Sequence, residues 1–180
     1  MTRTNALPLV AGRWAIDPLH SSVGFAIRHL GVSKVRGRFS AFDAELVVGE
    51  GLEDSSISAN VEIGSIDTGN ADRDAHVLAA DLLDVEKRPT MTFRSTRISG
   101  EGEDWTLDGE LTIGSVTRPV GFAVEFGGVQ DVFDGSRHAG FDATAQIRRS
   151  DFGIDFGPAE ALLGDVIKIQ LDVQFVEPKS

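Results

Sequence analysis

Apolar and polar residues alternate with period two over most of the chain, the pattern of strands with one buried face. From Ile167 onward it runs without an error: Ile167, Ile169, Leu171, Val173 and Phe175 alternate with Lys168, Gln170, Asp172 and Gln174. Only a two-faced strand separates those residues so cleanly. The same alternation marks Val120 to Phe126, Phe141 to Ile147, Leu107 to Ile113, Val23 to Ile27, Ile57 to Ile63 and Met91 to Thr96. A long segment runs from Val35 to Val48, and Arg13 to Asp17 reads as a short first strand. In the long segment Phe39 and Phe42 fall on different parities, which predicts a bulge near Ala41 that re-aims the strand.

Turn-forming residues separate these runs at Gly31, Gly49 to Gly51, Gly100 to Glu103, Ser115 to Pro119, Asp131 to Ser136 and Phe156 to Gly164. Most of these breaks are short, so neighbouring strands are expected to pair as antiparallel hairpins. One segment departs from the pattern. Between Asn70 and Leu83 the residues Ala71, Ala75, Leu78 and Leu82 stand at helical spacing, Asn70 can cap, and Asp72 and Asp74 complement the N-terminal dipole. Pro89 ends any continuation. Eight or so antiparallel strands and one amphipathic helix, with no linker or repeat, predict a single all-β domain over residues 1–180, with 1–12 a flexible N-terminal segment. Both a sandwich and a closed barrel fit that pattern.

Side-chain size on the inward parity bears on the choice. Large residues (Phe25, Ile27, Phe39, Phe93, Leu111, Phe122, Phe141, Ile169, Leu171), with Val124 and Ile147, are interspersed with Gly37, Ala59, Ser95, Gly109, Ala143 and Ala145. Small inward residues in an eight-stranded barrel can leave a lumen, and strands of about ten residues at ~3.3 Å each would make it roughly 30 Å long. They can equally interdigitate with large neighbours in a filled barrel. A lumen so poor in charge and hydroxyl groups suits a long apolar molecule, because polar ligand groups would lose water without compensation.

Composition sharpens this picture. There are 20 Gly, 11 Phe and 2 Trp but no Tyr, so the aromatic lining has almost no polar handles. With 28 acidic against 17 basic residues the net charge is -11, which makes nucleic acid and a bare anionic membrane poor partners. The absence of Cys removes thiol nucleophiles, disulfides and thiolate metal sites. Met1 to Gly12 carry one Arg and an apolar stretch broken by Pro8, short of the core of a secretion signal, so the expected location is the cytoplasm.

Several segments together resemble the YceI-like family: Trp14 to His29 (WAIDPLHSSVGFAIRH), Val35 to Phe39 (VRGRF), Ser65 to Glu86 (SIDTGNADRDAHVLAADLLDVE), Pro89 to Phe93 (PTMTF), Gly109 to Val120 (GELTIGSVTRPV) and Arg148 to Ile154 (RRSDFGI). The resemblance spans nearly the whole chain in order. It implies an elongated, eight-stranded antiparallel lipocalin-like barrel with a helix against it. It further implies a polyisoprenoid or similar long lipid in the lumen, such as a polyprenyl phosphate or an isoprenoid quinone, and often a homodimer. Many members carry a signal peptide, which this sequence does not show. The family is defined by shape and cavity, so no catalytic residue and no cofactor carries over.

Polar candidates are few. Arg38 and Arg149, each in a cluster of basic residues, are head-group candidates because a guanidinium suits phosphate, although pairing with local carboxylates explains them as well. His20, His29 and His76 fit an acid/base or metal role only if the fold converges them. Asn70, Asp72 and Asp74 imitate the start of a calcium loop, but Ala75 stands where Gly is needed and Asp81 where Glu is needed. No P-loop, nucleophile elbow, zinc-protease helix or dinucleotide fingerprint is present. The expected function is non-enzymatic lipid binding for sequestration, storage or transport. An enzyme acting on an apolar substrate, with His20 or His29 as base, is the alternative.

Overall fold

A computed structural model describes residues 8–79, 83–154 and 163–178. The strands are β1 (Gly12–Ile16), β2 (Ser22–His29), β3 (Ser33–Phe39), β4 (Phe42–Val48), β5 (Ser56–Glu62), β6 (Ile66–Asp67), β7 (Thr90–Glu101), β8 (Asp104–Ile113), β9 (Val116–Asp131), β10 (Arg137–Arg148) and β11 (Leu163–Val176), with one helix, α1 (Ala71–Leu78). All the ladders are antiparallel, and the order β1-β4-β5-β7-β8-β9-β10-β11 returns to β1 through Ala15 opposite Val176 and Ile16 opposite Phe175. The sheet therefore closes into an eight-stranded barrel, and the alternating parity separates its inside from its outside.

Three of the eight staves are kinked. A 3-10 turn at Pro18–His20 joins β1 to β2, and another at Ile63–Ser65 joins β5 to β6. The long segment from Val35 to Val48 breaks at Ser40 and Ala41 into β3, which pairs with β2 and β6, and β4, which pairs with β1 and β5. The parity change between Phe39 and Phe42 thus marks a handover between partners. Each half-stave keeps its apolar face inward because the break absorbs the odd residue. β11 is handed over likewise, from β2 along Leu163 to Asp172 to β1 at its end.

Helix α1 is shorter than the spacing predicts. Asn70 caps it by accepting from the Arg73 N–H at 2.9 Å, and the helix ends at Leu78. Ala71 and Ala75 face solvent, whereas Asp74, Val77 and Leu78 turn towards the barrel. The cause is Asp74, whose carboxylate accepts from both the Thr68 backbone N–H and the Thr68 hydroxyl and so sets the helix roll. Leu82 and Asp81 lie outside the described residues, as do residues 1–7 of the N-terminal segment and most of the turn from Phe156 to Gly164. Leu9 is buried, and the Val10 carbonyl accepts from the Trp14 indole at 3.0 Å.

The two ends of the barrel differ. At the end where β8 begins and β11 finishes, Trp105 stacks on Phe126 at 5.2 Å between ring centroids, and Phe141 lies within 6.0 Å of Trp105, Phe126 and Phe175. Trp14, with no exposed surface, is buried in the same core. Rings fill space densely and gain from tilted and edge contacts, so this half is solid. Both indole N–H groups reach carbonyls of nearby loops, Val10 for Trp14 and Gly102 for Trp105, so neither is buried unsatisfied.

Candidate ligand-binding cavity

The other half is hollow. A cavity of about 480 Å³ opens there, a size common for small-molecule sites. Its wall is apolar except for Gly24 and six polar residues among those described, His29, Asp43, Thr68, Arg73, His76 and Thr92. Of the residues expected to line a lumen, Phe25, Ile27, Phe39, Ala59, Phe93, Leu111, Phe122, Ile147, Ile169 and Leu171 stand in this wall. Phe25 and Phe39 face each other at 5.5 Å, and Phe93 meets Phe122 edge-on at 5.3 Å.

Gly37, Gly109, Val124, Phe141 and Ala143 lie outside it, for two physical reasons. Val124, Phe141 and Ala143 are neighbours in the β8–β9–β10 ladders at the plugged end, where Val124 is paired with both Trp105 and Ala143. The two glycines lie beneath aromatic rings. A Cβ on Gly37 would come within 2.5 Å of the Phe25 ring directly opposite it, and one on Gly109 would run into the Phe93 ring and the Arg94 carbonyl. These glycines make room for phenylalanines rather than for a lumen. Ser95 has a third role: its hydroxyl accepts from the Ile57 N–H at 2.9 Å. The cavity therefore follows β11 from Leu163 to Phe175 but stops at the aromatic plug, with Val124, Phe141 and Ala143 outside its wall.

Neither head-group candidate lines the cavity. Arg149 is 2% exposed and donates to the carbonyls of Gly164, Ile154 and Leu163 at 3.0, 3.2 and 3.3 Å, tying the 3-10 turn Arg149–Phe152 to the start of β11. A guanidinium so bound clips backbone together. Beside it, Asp165 accepts from the Ser150 hydroxyl and backbone N–H at 2.8 and 3.0 Å, which holds its carboxyl below the usual value, and Arg148 stands 3.5 Å away. Arg38 sits on the outward parity of β3 and faces Asp67 at 3.7 Å.

The polar side chains at the open end come instead from the close of β2 and from the helix. His29 ends β2, while Arg73 and His76, with Val77, share one face of α1 at i, i+3 and i+4. Arg73 is oriented by donating Nε to the Thr68 hydroxyl at 2.9 Å and Nη2 to its carbonyl at 2.6 Å. The sequence signal was available: two basic residues and a valine at helical spacing beside the predicted cap. His20 is elsewhere. It bonds Asp17 Oδ2 at 2.7 Å at the kink between β1 and β2, with His138 Nδ1 3.7 Å from the same oxygen. Burial works against the ionised form of Asp17, but bonds from His20 and the Leu19 N–H outweigh it and hold the carboxyl below its ordinary value. The Asp74 carboxylate of the calcium-like run is occupied by Thr68.

The model of the YceI-like domain matches residues 14–175. A UPF0312 protein of Enterobacter sp. (strain 638) is 36% identical over 166 residues, 89% of this chain and 86% of the relative. Among solved structures, BcnA of Burkholderia cenocepacia superimposes with a TM-score of 0.78 at 21% identity, covering 88% of this chain and 98% of that one. A polyisoprenoid binding domain from Saccharophagus degradans, implicated in plant cell wall breakdown, gives 0.71 at 12% identity, covering 94% and 100%. At such identities the structural matches speak for the fold.

Proposed function

The chain belongs to the YceI-like family, and from that membership and the one-ended cavity we propose that it binds a long isoprenoid-type lipid, tail inward, for sequestration, storage or transport. The observation that carries the reading is the asymmetry of the cavity wall: a closed aromatic floor, apolar sides, and Thr68, Arg73, His76 and His29 gathered at the open end. An apolar tail gains about 0.8 kcal/mol per CH₂ desolvated against such sides, whereas a polar head group stays where cations and water meet it. A polyprenyl phosphate or the ring of an isoprenoid quinone has that two-part chemistry. The Saccharophagus domain, named for polyisoprenoid binding, shares the fold and supports this choice of ligand class.

Mass spectrometry of an organic extract from gently purified protein tests the proposal, together with titration by isoprenoid alcohols of increasing length. A co-purifying lipid is expected, and affinity should rise with length until the hollow half is full, then level off. An extract without lipid and no length dependence would defeat it. Of the two bases open to an enzyme acting on an apolar substrate, His20 is bound to Asp17 outside the cavity, whereas His29 stands in its wall.

A further inference from the structure

The turn between β2 and β3 carries an anomaly. Leu30 and Gly31 both have positive φ, 58° and 71°, and the Val32 N–H closes the turn on the His29 carbonyl at 3.2 Å. Hairpin turns of that sign favour Asn-Gly, because a leucine in the left-handed region strains its backbone. Leu30 nevertheless stands there 55% exposed, with Val32 beside it 80% exposed. Two water-facing apolar side chains on a strained tip do nothing for the fold, and such outliers point to function.

Charge supplies the second observation. Between Pro18 and Phe42 lie four cations, Arg28, Lys34, Arg36 and Arg38, and none of the chain's 28 carboxylates. All four lie on the outward parity of the hairpin, Arg28 opposite Lys34, Arg36 opposite Ala26 and Arg38 opposite Gly24. Arg38 pairs with Asp67, whereas Lys34 and Arg36 make no ion pair among the described residues. The tip adjoins His29, which is in the cavity wall, so the cationic, apolar-tipped hairpin borders the open end. At the plugged end the β9–β10 tip also exposes an apolar ring, Phe133, but between Asp131 and Asp134. An anionic surface attracts the first tip and repels the second.

We propose that the β2–β3 hairpin docks the open end of the barrel on an anionic lipid bilayer, Leu30 and Val32 entering the interface and Arg28, Lys34 and Arg36 meeting lipid phosphates. The net charge of -11 does not oppose this. Beyond a Debye length of about 8 Å the acidic bulk is screened, and the carboxylate-free stretch from Pro18 to Phe42 is what meets the surface. Docking rests on the hairpin alone, so it stands or falls apart from the cavity's ligand.

Flotation with phosphatidylcholine vesicles, with and without about one third phosphatidylglycerol, tests it. The protein should float with the anionic vesicles, less so at high salt, and stay behind with phosphatidylcholine alone. Lys34→Gln with Arg36→Gln should cut partitioning about 25-fold, about fivefold per charge. Leu30→Asn with Val32→Asn should cut it about tenfold while the fold persists, since Asn suits the left-handed turn. Phe133→Asn should change nothing. No flotation, equal binding to both vesicle types, or unaltered binding by the tip variant overturns the proposal. So does a tip variant that only dissolves a dimer, which would give the tip to a second copy. Protein that floats but yields no lipid on extraction upholds docking and sinks the ligand reading.

Discussion

Ala59→Phe places a ring in the hollow half without touching the plug. Ala59 is an inward residue of β5, paired with Ala44 on one side and Phe93 on the other, and all three stand in the cavity wall. The substitution adds six ring carbons to a space of about 480 Å³. If they displace as many ligand carbons, the loss at ~0.8 kcal/mol each is about 5 kcal/mol, roughly 3,000-fold in Kd. A tail that retreats by two carbons still loses about tenfold. Stability should hardly change, because burying the ring gains ~1.5–3 kcal/mol and crowding costs ~1–3 kcal/mol. Displacement of a fluorescent isoprenoid gives the affinity and thermal unfolding the stability, with Ser58→Phe on the outward face of the same strand as control. Affinity within twofold of the parent, in a protein that melts normally, would refute the placement of the ligand.

Three further outcomes follow from the packing. Gly109→Ala should destabilise by about 1–3 kcal/mol in denaturant, and Phe93→Leu should relieve part of that cost, because the added Cβ meets the Phe93 ring; additive effects would show that the ring does not cover the glycine. Arg149→Met should cost about 3 kcal/mol by stranding buried carbonyls while leaving lipid affinity intact, and a loss of affinity without destabilisation would make it a head-group ligand after all. The depressed Asp17 carboxyl contributes stability above its unfolded value near pH 4, lost as pH falls through the lower folded value. Asp17→Asn should therefore flatten the acid limb of the stability–pH curve, and an unchanged limb would mean that other carboxylates set it.

The strand pattern was legible because burial on one face of a strand leaves a period-two trace in any sequence that satisfies it. Ile167 to Phe175 alternate through the last strand, and the clash of parity at Phe39 and Phe42 marked the place where the chain changes partners. Asn70 announced the helix start through its own capping chemistry. Parity assigns a side chain to the inside but does not say how deep it sits or which neighbour shares its space. Gly37 and Gly109 read as openings until the register set Phe25 and Phe93 over them, and Phe141 read as lumen until closure brought Trp105, Phe126 and Phe175 around it. Arg149 lost its ligand role to carbonyls from Ile154, Leu163 and Gly164, and Arg73 and His76 gained a place in the wall when Asp74 fixed the helix roll. The inward face of each strand was thus written locally, residue by residue. Which half of the barrel is solid, and which charges border the open half, are properties of contacts between residues far apart in the chain, decided only when the eighth stave closes on the first.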